Sequence, residues 1–337
     1  MGRRGPGLLL RDLEKGDDPQ IAVVQAVIRQ VSPDILLLTS FDFDYGNRAL
    51  NLIADQIGAR GAGYPYRFSL PPNSGLPSGL DLDGDGRLGG PGDNQGFGYF
   101  RGSRGMALLS RFPIDTKGVR DFSALLWKDQ AGARLPQRSG VAFPSAEAQA
   151  AQRLSSTGHW DVPVSLPDGR RLHLLASHPT PPVFDGPEDR NGLRNRAEIL
   201  FWKTYIAGFD PDVAFVILGD LNADPEDGEG AHYAIKSLLG DHRVQDPKPS
   251  SDGGKSAARR QKGPNLYHKT DPALDTVDWH EDHTPGNLRV DYVLPSSNTE
   301  ITGAGVFWPA PGQPDFALVG SDGQRGSDHR LVWTDIR

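Results

Sequence analysis

Apolar residues recur along this chain with two periods. In "PQIAVVQAVIRQVSPD" they fall at Ile21, Val24, Val27, Ile28 and Val31, a helical spacing that Pro33 stops. "DILLLTSFD" follows as a short continuous apolar run, which reads as a strand covered on both faces. "NRALNLIADQIGARG" returns to helical spacing, and residues 63–105, rich in Gly, Pro and Asp, read as a long excursion. "GMALLSRFPI" is a strand ended by a turn at Pro113. Residues 129–158 read as irregular with one short helix, and "HWDVPVSLPDGRRLHLLASHPTPP" as two strands around a turn. "DRNGLRNRAEILFWKTYIAGF" predicts a helix whose inner side carries Leu193, Ile199, Leu200, Trp202, Tyr205 and Ile206. "DVAFVILGDLN" is again a strand, residues 245–287 read as mostly polar loop, and "LRVDYVLP", "ITGAGVFWP" and "HRLVWTDI" are closing strands.

Four apolar segments, "LLASHPTPP", "VILGDLNADP", "RVDYVLPSS" and "GSDHRLVW", carry acids, amides or histidines at their ends. Polar side chains alternating at a strand terminus project where several strands can meet and form a mouth. A solvated turn accounts for any one of these segments; the four together point to one shared site. Strands alternate with helices in places and with strands elsewhere, which predicts a layered α/β sandwich rather than a doubly wound parallel sheet. No repeat or linker interrupts residues 1–337, which read as a single domain.

Composition narrows the chemistry. The chain has 337 residues and ample apolar material for a core. It has no cysteine, which excludes a disulfide framework, a thiolate metal site and a cysteine nucleophile. A net charge of -7 argues against a surface built throughout to hold nucleic acid, while leaving room for a local basic groove. No stretch reaches the roughly 18 apolar residues of a membrane helix. Nor does the opening "MGRRGPGLLLRDLEKGDD" hold an apolar run long enough for a signal peptide, so the chain as written reads as cytoplasmic.

"GDLNADP", "RVDYVLPS" and "SDHRLV", in that order and with a strand-terminal histidine in "SHP", resemble the endonuclease/exonuclease/phosphatase superfamily, the deoxyribonuclease I-like enzymes. "PDILLL" and "RGMALLSRFPI" match its supporting segments, and the likeness runs from about residue 20 to 337. The resemblance implies a four-layer αββα sandwich that cleaves phosphate esters with a divalent metal, Mg²⁺ or Mn²⁺. In-line hydrolysis needs an oriented water, neutralised phosphoryl oxygens and help for the leaving oxygen. The resemblance assigns Asp220 to the water and the Asn222 amide to a phosphate oxygen. It gives His178 and His329 phosphate contacts when protonated, makes Asp291 the carboxylate that fixes the tautomer of His329, and makes Asp328 an oxygen ligand for the metal.

Two departures qualify this reading. The family's metal-binding Glu follows the "PDILLL" strand, and here Ser40 stands in that place, with Asp42 as the nearest substitute if the extended conformation continues. The family's first strand, which carries an Asn, is also expected before "GRRGPGLLLRDL". One expectation is that Met1 is an internal methionine and the strand lies upstream, in which case an exported bacterial protein is equally consistent. The other is a chain that has shed two metal-site residues and binds a phosphate ligand without turning it over. Against the second stands the complete set Asp220, Asn222, Asp291, Asp328 and His329.

Secondary signals remain. "DLDGDGRLGG" sets Asp81, Asp83 and Asp85 at alternate positions before Gly86, the first half of a calcium loop, and reads either as an acidic turn-rich loop or as a structural Ca²⁺ site. The bidentate Glu of such a loop is replaced by Gly92, with Asp93 beside it. Arg190 and Arg194, shortly after His178, are candidate substrate clamps. Lys255, Arg259, Arg260 and Lys262 suit a basic flap. Aromatic residues are not concentrated as base stacking would require, so the expected partner is a phosphate ester, small molecule or nucleic acid, with no obligate protein partner.

Overall fold

The computed structural model describes residues 1–279, 285–320 and 326–337. The elements run α1 (Leu8–Lys15), α2 (Pro19–Val31), β1 (Ile35–Phe41), α3 (Arg48–Gly58), β2 (Tyr66–Phe68), β3 (Gly105–Ser110) and β4 (Arg120–Asp121). There follow β5 (Gln137–Arg138), β6 (Val141–Ala142), α4 (Ala146–Ala151), β7 (His159–Ser165), β8 (Arg171–Ser177), α5 (Arg190–Ile206) and β9 (Ala214–Asp220). The chain closes with α6 (His232–Leu239), α7 (Asp252–Gln261), β10 (Asp291–Pro295), β11 (Ile301–Phe307), α8 (Phe316–Val319) and β12 (Leu331–Ile336).

Two sheets stack with helices outside each, and strand alternation decides which residue enters which layer. On β3, Ala107 and Leu109 pack with α1, α2 and α3, whereas Met106 and Leu108 face the other sheet. On β8 and β9, Leu174 and Val216 face that same inner layer, while Leu175 and Ile217 turn outward to Ile199, Trp202 and Leu238 of α5 and α6. Successive residues thus join different cores, and the result is the αββα sandwich expected from the sequence. Burying each such side chain stabilises the fold by about 1.5–3 kcal/mol before conformational entropy is counted.

The first sheet has the order β1-β3-β2 and the second β10-β9-β8-β7-β4; β11 pairs with β12, and β5 with β6. β8 and β9 run parallel, and β9 and β10 antiparallel with Asp220 opposite Asp291. Gly219 allows the approach of β8 to β9, since a Cβ there would sit 1.9 Å from the Ser177 carbonyl oxygen. Among the described residues no helix is long and apolar enough to cross a membrane.

Local signals explain several boundaries. The Asp18 carboxylate accepts the Ile21 N–H and Pro19 opens α2, while Ser32 closes it in the left-handed conformation. Residues 245–287 are not simply loop, because they contain α7, capped by the Ser251 hydroxyl accepting the Gly254 N–H. The basic segment expected as a flap is this helix for most of its length, with Lys255, Arg259 and Arg260 on it and Lys262 just past its end. Its buried residues are Gly253, Gly254, Ala257 and Ala258, too small to register as an apolar stripe.

Candidate active site

Three adjacent strands deliver the central residues. Asp220 ends β9, Asp291 starts β10 directly opposite it, and His178 follows β8, the parallel neighbour of β9. His329 arrives from the loop before β12 and forms a bridge with Val277. A carboxylate oxygen from each of Asp220 and Asp291 and a ring nitrogen of His329 lie within 4.8 Å of one another.

Asp220 Oδ2 is the focus. His178 Nε2 lies 3.2 Å away, Asn222 Nδ2 donates to it at 3.3 Å, and His329 Nε2 stands at 3.9 Å. The other oxygen accepts the Asn222 backbone N–H at 2.9 Å. Burial opposes ionisation of Asp220, but His329 and His178 outweigh it and hold its carboxyl below the usual range. Across the sheet, His329 Nδ1 and Asp291 Oδ2 are 2.9 Å apart. Burial and the facing Asp220 push the Asp291 carboxyl up, against the pull of His329. Burial also disfavours charge on His329, yet Asp291 and Asp220 raise it to about 9, so an imidazolium stands between the two acids at neutral pH.

Asn222 reaches Asp220 by another route than strand alternation. The strand ends at Asp220, and Asn222 sits at φ 50, in the left-handed region that asparagine tolerates. Its amide donates to Asp220 and to the Pro179 carbonyl, so both its protons have partners within the protein. His178 Nδ1 is buried with no partner among the described residues.

Several expected residues lie elsewhere. Arg194 is 5% exposed, and its guanidinium donates to the carbonyls of Leu154, Gln95, Arg153 and Ser155. It braces loops rather than facing a phosphate, which corrects its expected role as a clamp. Arg190 is half-buried and donates to the Leu82 carbonyl at 2.5 Å, which ties it to the acidic loop. Asp42 is a further correction. β1 bulges between Leu38 and Phe41, Ser40 takes φ 51, and strand alternation fails there. Asp42 is 5% exposed, and its oxygens accept the backbone N–H groups of Arg3 and Arg104 at 2.7 and 2.8 Å. Asp328 is exposed and outside the converging Asp220–Asp291–His329 group, although its charge adds to the upward pull on His329.

Asp81, Asp83 and Asp85 do converge, each offering an oxygen within 4.8 Å of the others. Their carboxylates also accept the N–H groups of Gly84, Asp85, Gly86 and Arg87. Asp93 is buried and fastens the loop by accepting from Leu82 and Gly90.

Thr276 gives no signal in the sequence, being one hydroxyl in "ALDTVDW". It is fully buried; its Oγ1 donates to Asp291 Oδ2 at 2.8 Å and accepts the Val290 and Asp291 N–H groups. It thereby orients the acid that orients His329. The same segment holds the His329 loop, since the Arg330 N–H donates to the Thr276 carbonyl and the Arg330 guanidinium to Asp278 at 2.7 Å. Thr276→Val is expected to lower kcat about fivefold with KM little changed, and Thr276→Ser to restore it, because a lost neutral hydrogen bond is worth about 1 kcal/mol. Equal kcat in all three proteins would remove Thr276 from the site.

The neighbouring Asp275 has a distinct consequence. Burial, with Asp224 and Asp227 nearby, pushes its carboxyl up to about 8, and its Oδ2 is buried without a partner among the described residues. The unfolded chain loses this proton near pH 4 while the folded chain keeps it to about 8, so stability falls as pH rises through that window. Asp275→Asn is therefore expected to gain melting temperature relative to wild type at pH 8 more than at pH 4. Parallel curves between these limits would count against a buried neutral acid.

The model of the Endonuclease/Exonuclease/phosphatase family matches residues 11–329, and the chain belongs to that family. Membership implies phosphoester hydrolysis of nuclease or phosphatase type with a divalent metal. Among solved structures, an endonuclease/exonuclease/phosphatase from Beutenbergia cavernae aligns over 94% of this chain and 66% of its own, at 17% identity and a TM-score of 0.54. The chain thus spans just under two thirds of that relative. A family protein from Leptotrichia buccalis aligns over 94% of this chain and 92% of its own, at 13% identity and a TM-score of 0.52. At these identities the likeness shows the fold. No curated protein matches the sequence.

Proposed function

We propose that this chain hydrolyses phosphomonoesters or phosphodiesters by in-line attack of a water held by Asp220. The observation that carries the reading is the gathering of His178, Asn222 and His329 on one oxygen of Asp220, with Asp291 across the sheet. In this reading Asp220 accepts from the water, and the imidazolium of His329, kept in orientation by Asp291, donates to the phosphoryl oxygens. His178 and Asn222 keep Asp220 ionised and aimed.

Asp220 and Asp291 are the carboxylates that would hold a hard divalent ion, which would share them with the imidazolium of His329 that lies between them. Mg²⁺ or Mn²⁺ held there would neutralise charge on the phosphate. A second reading, phosphate binding without turnover, draws support from Ser40, which brings no charge, and from Asp42, whose oxygens are already engaged by backbone.

Hydrolysis of bis-p-nitrophenyl phosphate and p-nitrophenyl phosphate separates the two. Turnover is expected with Mg²⁺ or Mn²⁺, about 100-fold or more above that in EDTA by the order of magnitude of metal assistance, and recovered on adding the ion back. Rates indifferent to EDTA would remove the metal from the scheme. Phosphate binding with no turnover of either ester would establish the second reading.

A further inference from the structure

The segment that follows β8 is poor in backbone donors. In "HPTPP", residues 178–182, Pro179, Pro181 and Pro182 have no N–H, which leaves only those of His178 and Thr180. Its carbonyls still need partners, since a buried backbone group left unpaired costs about as much as a lost hydrogen bond. Side chains from three other segments supply them. Ser156 Oγ donates to the His178 carbonyl at 3.2 Å, Asn222 Nδ2 to that of Pro179 at 3.0 Å, and Asn195 Nδ2 to that of Thr180 at 2.8 Å. The Thr180 N–H donates to Glu198 Oε2 at 2.8 Å, and Glu198 Oε1 accepts the Ser156 N–H and hydroxyl. Side chains, rather than a strand ladder, thus set the course of the chain at His178.

Asn195 reaches further than this segment. It lies on α5 and is 1% exposed, and its Nδ2 also donates to the Leu221 carbonyl at 2.9 Å, between Asp220 and Asn222. The Leu221 N–H goes to the Val290 carbonyl just before β10, so the helix takes what the neighbouring strand leaves. One amide therefore divides its two protons between the peptide that carries His178 and the turn that carries Asp220. Asn222 also links Pro179 to this turn, but it belongs to the turn itself, whereas Asn195 belongs to a helix. That helix is fixed to both strands: Ile199 and Trp202 pack with Leu175 of β8 and Ile217 of β9, and Trp202 Nε1 donates to Ser177 Oγ at 2.8 Å. A site group is held most accurately when its support is itself locked by packing on a rigid element. We propose that Asn195 is a positioning residue of the candidate site, whose amide fixes His178 Nε2 and Asp220 Oδ2 at their separation of 3.2 Å. Its effect on rate rests on the hydrolysis proposed above; its effect on His178 does not.

The test uses the full 337-residue chain. Asn195→Leu keeps the approximate shape of the side chain and removes both donors, and Asn195→Ala is the second variant. In protein labelled with carbon-13 at histidine Cε1, the His178 resonance is expected to move in both variants. That of His173, within β8 and held by Asp161, stays where it is. On the nitrophenyl esters kcat is expected to fall about 100-fold with KM little changed, the scale of a misplacement of about 1 Å. Added to His178→Ala, Asn195→Leu should cost nothing further in kcat, because the group it positions is already gone. An unmoved His178 resonance, additive losses in the double variant, or failure of both single variants to fold would each overturn the proposal, the last by assigning Asn195 to stability alone. A wild-type chain that hydrolyses neither ester would defeat the proposed activity, and the His178 resonance would then decide the role of Asn195 by itself.

Discussion

Asp220→Asn is expected to lower kcat/KM for the proposed phosphoester hydrolysis by about 10³-fold, within the 10²–10⁴ range of a positioned acid–base group, while leaving the fold intact. The change is isosteric but reverses the chemistry of the site's focal atom. In the native protein Oδ2 receives the Asn222 amide and faces His178 and His329. An amide nitrogen there would meet donors with a donor, and an amide oxygen could not carry the charge that keeps His329 protonated. Asp220 and Asp291 act together on that imidazole, so Asp220→Asn and His329→Ala should cost much less in combination than the product of the single losses. The measurement is kcat/KM for the three variants on both nitrophenyl esters, with circular dichroism as a check on folding. A folded Asp220→Asn protein within about tenfold of wild type would falsify the assignment.

Arg194→Ala is expected to destabilise the protein by about 3–5 kcal/mol, the scale of breaking a buried charged network. The guanidinium supplies donors to four backbone carbonyls from the segments around Gln95 and Arg153–Ser155. Burial lowers its own pKa to about 10, against the pull of buried Glu198. Removing it strands those carbonyls and weakens the electrostatic support of Glu198, whose carboxylate holds Ser156 and Thr180. Arg194→Lys should recover little, because an ammonium cannot reproduce a planar fork reaching several acceptors. Urea unfolding gives the stability, and KM of whatever remains folded gives the alternative. A phosphate clamp would show the reverse pattern, a raised KM with an unchanged unfolding midpoint.

Arg194 illustrates what letters conceal. A guanidinium shortly after His178 reads equally as a clamp or as a brace, and only the burial of α5 against the loop at residues 153–156 decides it. Asp42 does not stand in for the missing carboxylate because one residue, Ser40, leaves extended geometry and breaks the period of two on which that expectation rests. α7 carries no apolar stripe because its buried side is built of glycine and alanine. Thr276 is silent in the sequence, since its importance comes from one contact to an acid fifteen positions away.

By itself, the sequence determined the alternation that sorts β3, β8 and β9 into inner and outer cores, the main helices and the polar strand ends, because these depend on periodicity and on short-range turn chemistry. Tertiary structure alone decided that Asp220 and Asp291 face each other, that Thr276 supports the pair, and that Arg194 braces buried loops. Such facts depend on the register between distant segments and on which polar groups burial leaves in want of a partner, and neither is encoded in any local stretch of the chain.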